Sequence, residues 1–320
     1  MNNRFIFSCR SVAQCLLLAG VSAGLLQAQK SSSTGAKPGK HFDQVLIVVL
    51  ENQNFTSAMK DPLLADLASH GSLFTHFRNL THPSYPNYLA MISGSTFWTD
   101  GSDSQKNFHD DADHRTIGDF LSWRNYAENY PGTDKAVYLK DGMKYGRKHV
   151  PFLSFEKVQK ESFANVVAVD TGTGSPFVAD IKKFRKDPAK DPLPQYIFYS
   201  PNLDDDGHDP YFRPREGMHK ASNWLRNFLT TWLAFDEKTW TPSDEKMKRL
   251  LVVITFDETE GRGGGNLYTV FLGSMVKSQE VAAEYNHYSV LRTIEDNFGI
   301  EPIHKGSGDG AASVITDIWK

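Results

Sequence analysis

Cysteine is nearly absent from this chain: the 320 residues hold two, Cys9 and Cys15, and both fall within the first 28. The rest of the sequence therefore excludes disulfides, thiolate metal ligands and a cysteine nucleophile. An excess of positive charge is missing as well. Lys and Arg number 35 against 38 Asp and Glu, a formal charge of -3, and this mild acidity argues against nucleic acid as the main partner. Internal repeats are lacking, and no low-complexity tract occurs outside residues 29–41.

The first 28 residues carry Arg4 and Arg10, then an apolar stretch from Val12 to Leu26, then small residues ending at Ala28. This order reads as a signal peptide cleaved after Ala28, and the apolar stretch is shorter than the ~18 residues a membrane span needs. Residues 29–41 read as a flexible Ser/Gly/Lys linker. A periplasmic or secreted protein of about 290 residues then depends on its core, with one domain expected over 42–320. Loss of Arg4 and Arg10, with no acid in that stretch, would take the formal charge from -3 to -5.

Two unbroken apolar runs, Val45–Leu50 and Leu250–Ile254, read as buried strands of a parallel sheet. Further strands are predicted over Lys135–Leu139, Phe163–Val169, Gln195–Ser200 and Leu267–Leu272. Helices are predicted over Pro62–His70, with Gly71 as C-cap, and over Tyr88–Ile92, Thr116–Asn125, Phe177–Phe184, Ser222–Phe235 and Tyr288–Phe298. The alternation indicates an α/β domain with a mostly parallel central sheet flanked by helices. Small cap insertions are expected at residues 125–165 and 210–220.

Ligands bind beyond the carboxyl ends of such strands, and that is where the chemistry-bearing residues cluster. Glu51-Asn52 follows the first run and Asp257-Glu258 the second, by way of Thr255 and Phe256. A carboxylate beside an amide oxygen suits Mg, Ca, Mn or Zn, although Asn52 or Asn54 could instead cap the next helix. Asp204, Asp205, Asp206, His208 and Asp209 crowd the end of a third strand, a charge density that calls for a cation or stays a solvated loop. Ser84, between Pro83 and Pro86, sits in a restricted loop that suits a nucleophile held for attack or a simple turn. Tyr145-Gly146-Arg147-Lys148-His149 gathers cations that could meet phosphate oxygens, or solvent.

At these residues the sequence resembles the secreted phosphoesterase family of acid phosphatases and bacterial phospholipases C, within the alkaline phosphatase superfamily. The resemblance rests on Val-Leu-Glu-Asn at 49–52, Thr-His-Pro-Ser-Tyr-Pro-Asn-Tyr at 81–88 and Lys-His at 148–149. It continues through Ser-Pro-Asn and Asp-Gly-His-Asp within 200–209, Thr-Phe-Asp-Glu at 255–258 and His-Tyr-Ser-Val-Leu-Arg-Thr-Ile-Glu-Asp at 287–296. It implies an alkaline-phosphatase-like fold and an exported, metal-dependent acid phosphatase acting on phosphate monoesters through a phosphoserine intermediate. It also implies metal ligation by Glu51, Asn52, Ser84, Asp204, Asp206, Asp257 and Glu258, with Ser84 as nucleophile and His149 and His208 as catalytic partners. Asn107, Lys148 and His287 would contact substrate. One divalent ion is expected, with a second site left open. The partner would be a small phosphorylated molecule, lipid phosphates included. A phosphodiesterase or phospholipase C is the alternative, and a non-catalytic metal- or phosphate-binding protein a further one.

Overall fold

The computed structural model describes residues 37–132, 144–172, 174–208, 216–261 and 265–320. From the N-terminal side come β1 (Gln44–Leu50), α1 (Phe55–Ala58), α2 (Pro62–His70), β2 (Ser72–Phe74), β3 (Phe77–Arg78) and α3 (Ser84–Ser93). The middle of the chain supplies β4 (Trp123–Glu128), β5 (Val166–Val169), α4 (Pro176–Lys186) and β6 (Tyr196–Ser200). The last part adds α5 (Glu216–Asn227), β7 (Phe235–Asp236), β8 (Thr241–Pro242), β9 (Leu250–Phe256), β10 (Thr269–Leu272), β11 (Gln279–Val281), β12 (Tyr285–Asn286) and α6 (His287–Phe298).

Eight strands form the main sheet in the order β11-β2-β10-β9-β1-β6-β4-β5. Its centre, from β9 to β5, is parallel, and only β10 runs against its neighbours. All seven residues of β9 and the last six of β1 are buried, as continuous Val/Ile/Leu runs covered on both faces require. β1 and β9 pair without offset from Gln44 opposite Leu250 to Leu50 opposite Phe256. That register leaves Glu51 and Asp257 side by side just beyond the last rung, so the sheet itself aligns the two acidic pairs.

Among the described residues the strand and helix expectations hold within a few residues, with two exceptions. Thr116–Asn125 is no helix: the reciprocal Thr116/Asp119 cap closes a single 3-10 turn over Ile117–Asp119, and Trp123 already begins β4 between β6 and β5. Trp123 and Tyr126 favour a pleated, half-covered surface, and Phe152 stacks on Trp123 at 3.8 Å. This part of the expected cap over 125–165 is therefore sheet and core. Gly71 is the C-cap of α2 as expected, in extended backbone, and its lack of a side chain serves packing, because a Cβ there would crowd the Phe271 carbonyl oxygen. The helix expected from Ser222 begins at Glu216 and widens into a π turn over Phe228–Trp232. The strand expected at Lys135–Leu139 lies outside the described residues.

Behind the sheet, α6 carries a buried acid pair. Burial, then Asp309, push the Glu295 carboxyl up to about 9, and the protonated group is held beside the Ile303 amide (3.1 Å) and Arg292 (3.3 Å). Unfolding returns Glu295 to its ordinary value of 4.5, so the folded state binds the extra proton between those two values. The contribution of Glu295 to stability is then fullest below about 4.5 and declines as pH rises toward about 9. Glu295→Gln, neutral at every pH, should flatten the fall in melting temperature between acidic and mildly alkaline buffer.

Candidate active site

Three adjacent parallel strands, β9, β1 and β6, deliver the site at their carboxyl ends. Backbone bonding continues past the strands: the Asp257 amide donates to the Leu50 carbonyl (3.0 Å) and the Glu51 amide to the Asp206 carbonyl (2.7 Å). Asp206, Glu51 and Asp257 thus stand abreast. Asn52 turns away in left-handed backbone (φ 46°), which lets its amide donate to Asp257 Oδ1 at 3.1 Å. Gly207 (φ 90°) makes the matching turn in the β6 loop.

Ser84 is the first residue of α3, whereas the sequence places it in the loop before the helix. Asn87 fixes that entry, accepting from the Leu80 amide (2.9 Å) and donating to the Thr81 carbonyl (2.9 Å). One turn on, Tyr88 shares the Ser84 face and donates its hydroxyl to Glu51 Oε1 at 2.6 Å. Burial, with Glu51 next to it, holds that phenol far above the tyrosine range, so it stays a donor. Replacing Tyr88 with Phe strips a hydrogen bond from a buried carboxylate and should destabilise the protein by about 1.5–3 kcal/mol in urea unfolding.

Glu51 is fully buried and is the hub of the site. Lys148 Nζ lies 2.8 Å from Oε2, His149 Nε2 3.2 Å from Oε1 and His208 Nδ1 3.5 Å from Oε2. Burial opposes the charge on Glu51, but Lys148 and the two histidines hold it well below the carboxylate range. Lys148 is likewise opposed by burial, yet Glu51 and Asp257 keep it above the lysine range and charged. Its ammonium donates to Ser84 Oγ at 2.9 Å, and Ser84 donates in turn to Glu258 Oε1 at 3.1 Å. Glu258 Oε2 lies 2.6 Å from His82 Nδ1. The serine oxygen is therefore gripped between a cation and a carboxylate.

Negative charge outruns the positive charge facing it. Burial and Glu51 push Asp206 up to about 6 and Asp257 well above its usual range. Ligand atoms of Glu51, His149 and Asp206 all lie within 4.8 Å of one another, and this is the group among the described residues that could hold a metal ion. Asn52 Oδ1, Asp206 Oδ2 and His149 Nδ1 are buried without a hydrogen-bond partner. Crowded carboxylates with raised proton affinity and free lone pairs fit a divalent cation. Nitrogen beside two carboxylates suits Zn or Mn better than Ca.

The structure brings together Glu51, Asn52, Ser84, Lys148, His149, Asp206, His208, Asp257 and Glu258. Asp204 stays outside the cluster, because the Asn202 side chain turns its amide and Lys144 draws its half-exposed carboxylate away at 2.7 Å. Asn107 is engaged by Glu156 (3.1 Å) and Gln159 (3.1 Å), and no hydrogen bond ties it to the cluster among the described residues. His287 sits behind the acidic row: burial lowers it to about 4, and its Nε2 donates to the Asp257 carbonyl at 2.7 Å, so it braces that turn. Asp209 lies outside the described residues. Sequence reading does not single out Tyr88, His82 or Asn87 as parts of the site. It also misses Glu128, a strand-end acid that accepts from the Asn202 amide (3.1 Å), Tyr199 (2.9 Å) and Trp224 (2.9 Å) and so anchors the loop carrying Asp206.

A family model described as the Phosphoesterase family matches residues 48–301. A "probable acid phosphatase" of Kluyveromyces lactis is 31% identical over 296 residues, covering 87% of this chain and 62% of that protein. The chain thus spans less than two thirds of that relative's length. A "phosphatidylinositol-3-phosphatase" of Mycobacterium tuberculosis is 28% identical over 309 residues, covering 95% of this chain and 92% of that protein. Among solved structures, a protein in the alkaline phosphatase superfamily from Vibrio parahaemolyticus superposes with a TM-score of 0.52 at 13% identity, covering 88% of this chain and 72% of that one. The fold is that of this superfamily.

Proposed function

Since the chain belongs to the Phosphoesterase family, we propose that it is an exported, metal-dependent acid phosphatase that hydrolyses phosphate monoesters with Ser84 as nucleophile. The observation that carries this reading is the grip on Ser84 Oγ by the Lys148 ammonium and the Glu258 carboxylate. In the first step Oγ attacks phosphorus, its proton passes to Glu258, and the bond from phosphorus to the leaving oxygen breaks. Lys148 offsets charge on the phosphoryl oxygens. His208, half exposed and kept above the usual histidine range by its bond to Glu51, supplies a proton to the leaving alkoxide. Water then attacks the phosphoserine, giving its proton to the now neutral His208, and the bond from phosphorus to Ser84 Oγ breaks as Glu258 returns its proton to the serine and phosphate departs.

A divalent ion held by Glu51, His149 and Asp206, with Asn52 and Asp257 adjacent, would supply Lewis-acid neutralisation of the phosphoryl charge. Small phosphate monoesters are the proposed substrates, and the Mycobacterium relative brings phosphoinositide monoesters into the same class. No helix among the described residues is long and apolar enough to cross a membrane. The test compares p-nitrophenyl phosphate with bis-p-nitrophenyl phosphate, before and after chelation and readdition of Zn or Mn. Monoester turnover lost on chelation and regained with metal is expected. A preference for the diester would favour the phospholipase C reading, and turnover unaffected by chelation would remove the metal from the mechanism.

A further inference from the structure

Lys148 stands between two pinned neighbours in the 3-10 turn over Arg147–His149. Arg147 is fully buried and donates to the Val150 carbonyl at 2.9 Å. His149 is buried against Glu51, and its carbonyl accepts from Asn125 Nδ2 at 3.3 Å. The backbone at 148 is therefore fixed from both sides, while the lysine reaches Glu51 through a flexible four-carbon stem and keeps 18% of its side chain exposed. Such a stem can carry its ammonium from one partner to another without moving the turn.

The two oxygens of Glu51 are used differently. Oε1 accepts from the Tyr88 hydroxyl at 2.6 Å and lies 3.2 Å from His149 Nε2. Oε2 is buried without a hydrogen bond, and what faces it is charge: Lys148 Nζ at 2.8 Å and His208 Nδ1 at 3.5 Å. Asp206 Oδ2 and Asp257 Oδ2 are buried and unpartnered beside it. Glu51 is also one of the three residues whose ligand atoms, all within 4.8 Å of one another, could hold a divalent ion. Its carboxylate would then serve two cations. Ammonium and ion repel, and in a buried site little water stands between them to screen that repulsion, so each weakens the other's hold on Glu51.

We propose that Lys148 is the internal competitor of the divalent ion: its ammonium holds Glu51 and Ser84 Oγ together until the ion displaces it, and so sets the metal affinity of the site below what its carboxylates alone would give. The displaced ammonium is then at hand for the phosphoryl oxygens of a substrate. This role rests on the metal ion of the proposed function and is independent of Ser84 as nucleophile.

The test is calorimetric titration of chelator-stripped protein with Zn at fixed pH and ionic strength. Lys148→Met, which keeps the length and loses the charge, should bind Zn at least about tenfold tighter than the wild type. Lys148→Arg, which keeps the charge, should stay within about threefold of the wild type. A second measurement needs no variant: brief acylation of the wild type with a small amine-reactive ester, followed by peptide mapping, should modify Lys148 faster with Zn bound than after chelation, because the amine is no longer held against Glu51. Equal or weaker Zn binding by Lys148→Met, an equal gain in Lys148→Arg, or labelling of Lys148 that Zn leaves unchanged or slows would overturn the competition alone. Zn bound by neither the wild type nor Lys148→Met would overturn it together with the metal-dependent reading.

Discussion

Ser84→Ala is expected to lower kcat for phosphate monoesters by on the order of 10⁴ or more, while the protein folds and melts as before. Among the described residues of the site, the Ser84 hydroxyl is the one placed to attack with a cation and a carboxylate already on its oxygen. Stability should survive because neither partner is abandoned. Lys148 keeps Glu51 at 2.8 Å, and Glu258 keeps His82 at 2.6 Å. Steady-state kinetics beside a thermal melt separates the two effects, and near-normal turnover in the variant would remove Ser84 from the nucleophile role.

Glu51→Ala should be damaging in both respects. Glu51 is the acceptor shared by Lys148, Tyr88, His149 and His208, and its loss leaves the Lys148 ammonium, 18% exposed, without its closest carboxylate. Breaking a buried pair from one side costs about 3–5 kcal/mol. The same change removes one of the three groups gathered around the candidate metal position, so bound Zn or Mn in the purified protein should fall to background and activity with it. Glu51→Gln keeps the shape without the charge; it should recover part of the stability and none of the metal. A variant that retains native metal content and turnover would contradict the assignment of Glu51.

Much of this site is legible in the sequence because strand register carries it. Once Val45–Leu50 and Leu250–Phe256 pair without offset, Glu51-Asn52 and Asp257-Glu258 must lie side by side, and both runs are unmistakable as buried strands. Ser84 is legible through Pro83 and Pro86, whereas Tyr88, one turn further on, is not singled out. What the sequence hides is set by side-chain competition across long separations. Asp204 and Asp206 look equivalent, but Asn202 and Lys144 capture the first, while the backbone bond to Glu51 places the second. His287 carries a ligand's chemistry, yet burial and the Asp257 carbonyl turn it into a brace. Thr116–Asn125 fails as a helix because a cap motif also closes a single 3-10 turn, and only the vacancy between β5 and β6 tells that Trp123–Glu128 fills it as a strand.

The most direct test of the central claim is acid quenching of the enzyme during turnover of ³²P-labelled phosphate monoester, followed by peptide mapping. The account predicts label on the peptide that contains Ser84, released on a chase with unlabelled substrate and absent from Ser84→Ala. Turnover without a labelled enzyme, or label on any other residue, would contradict it.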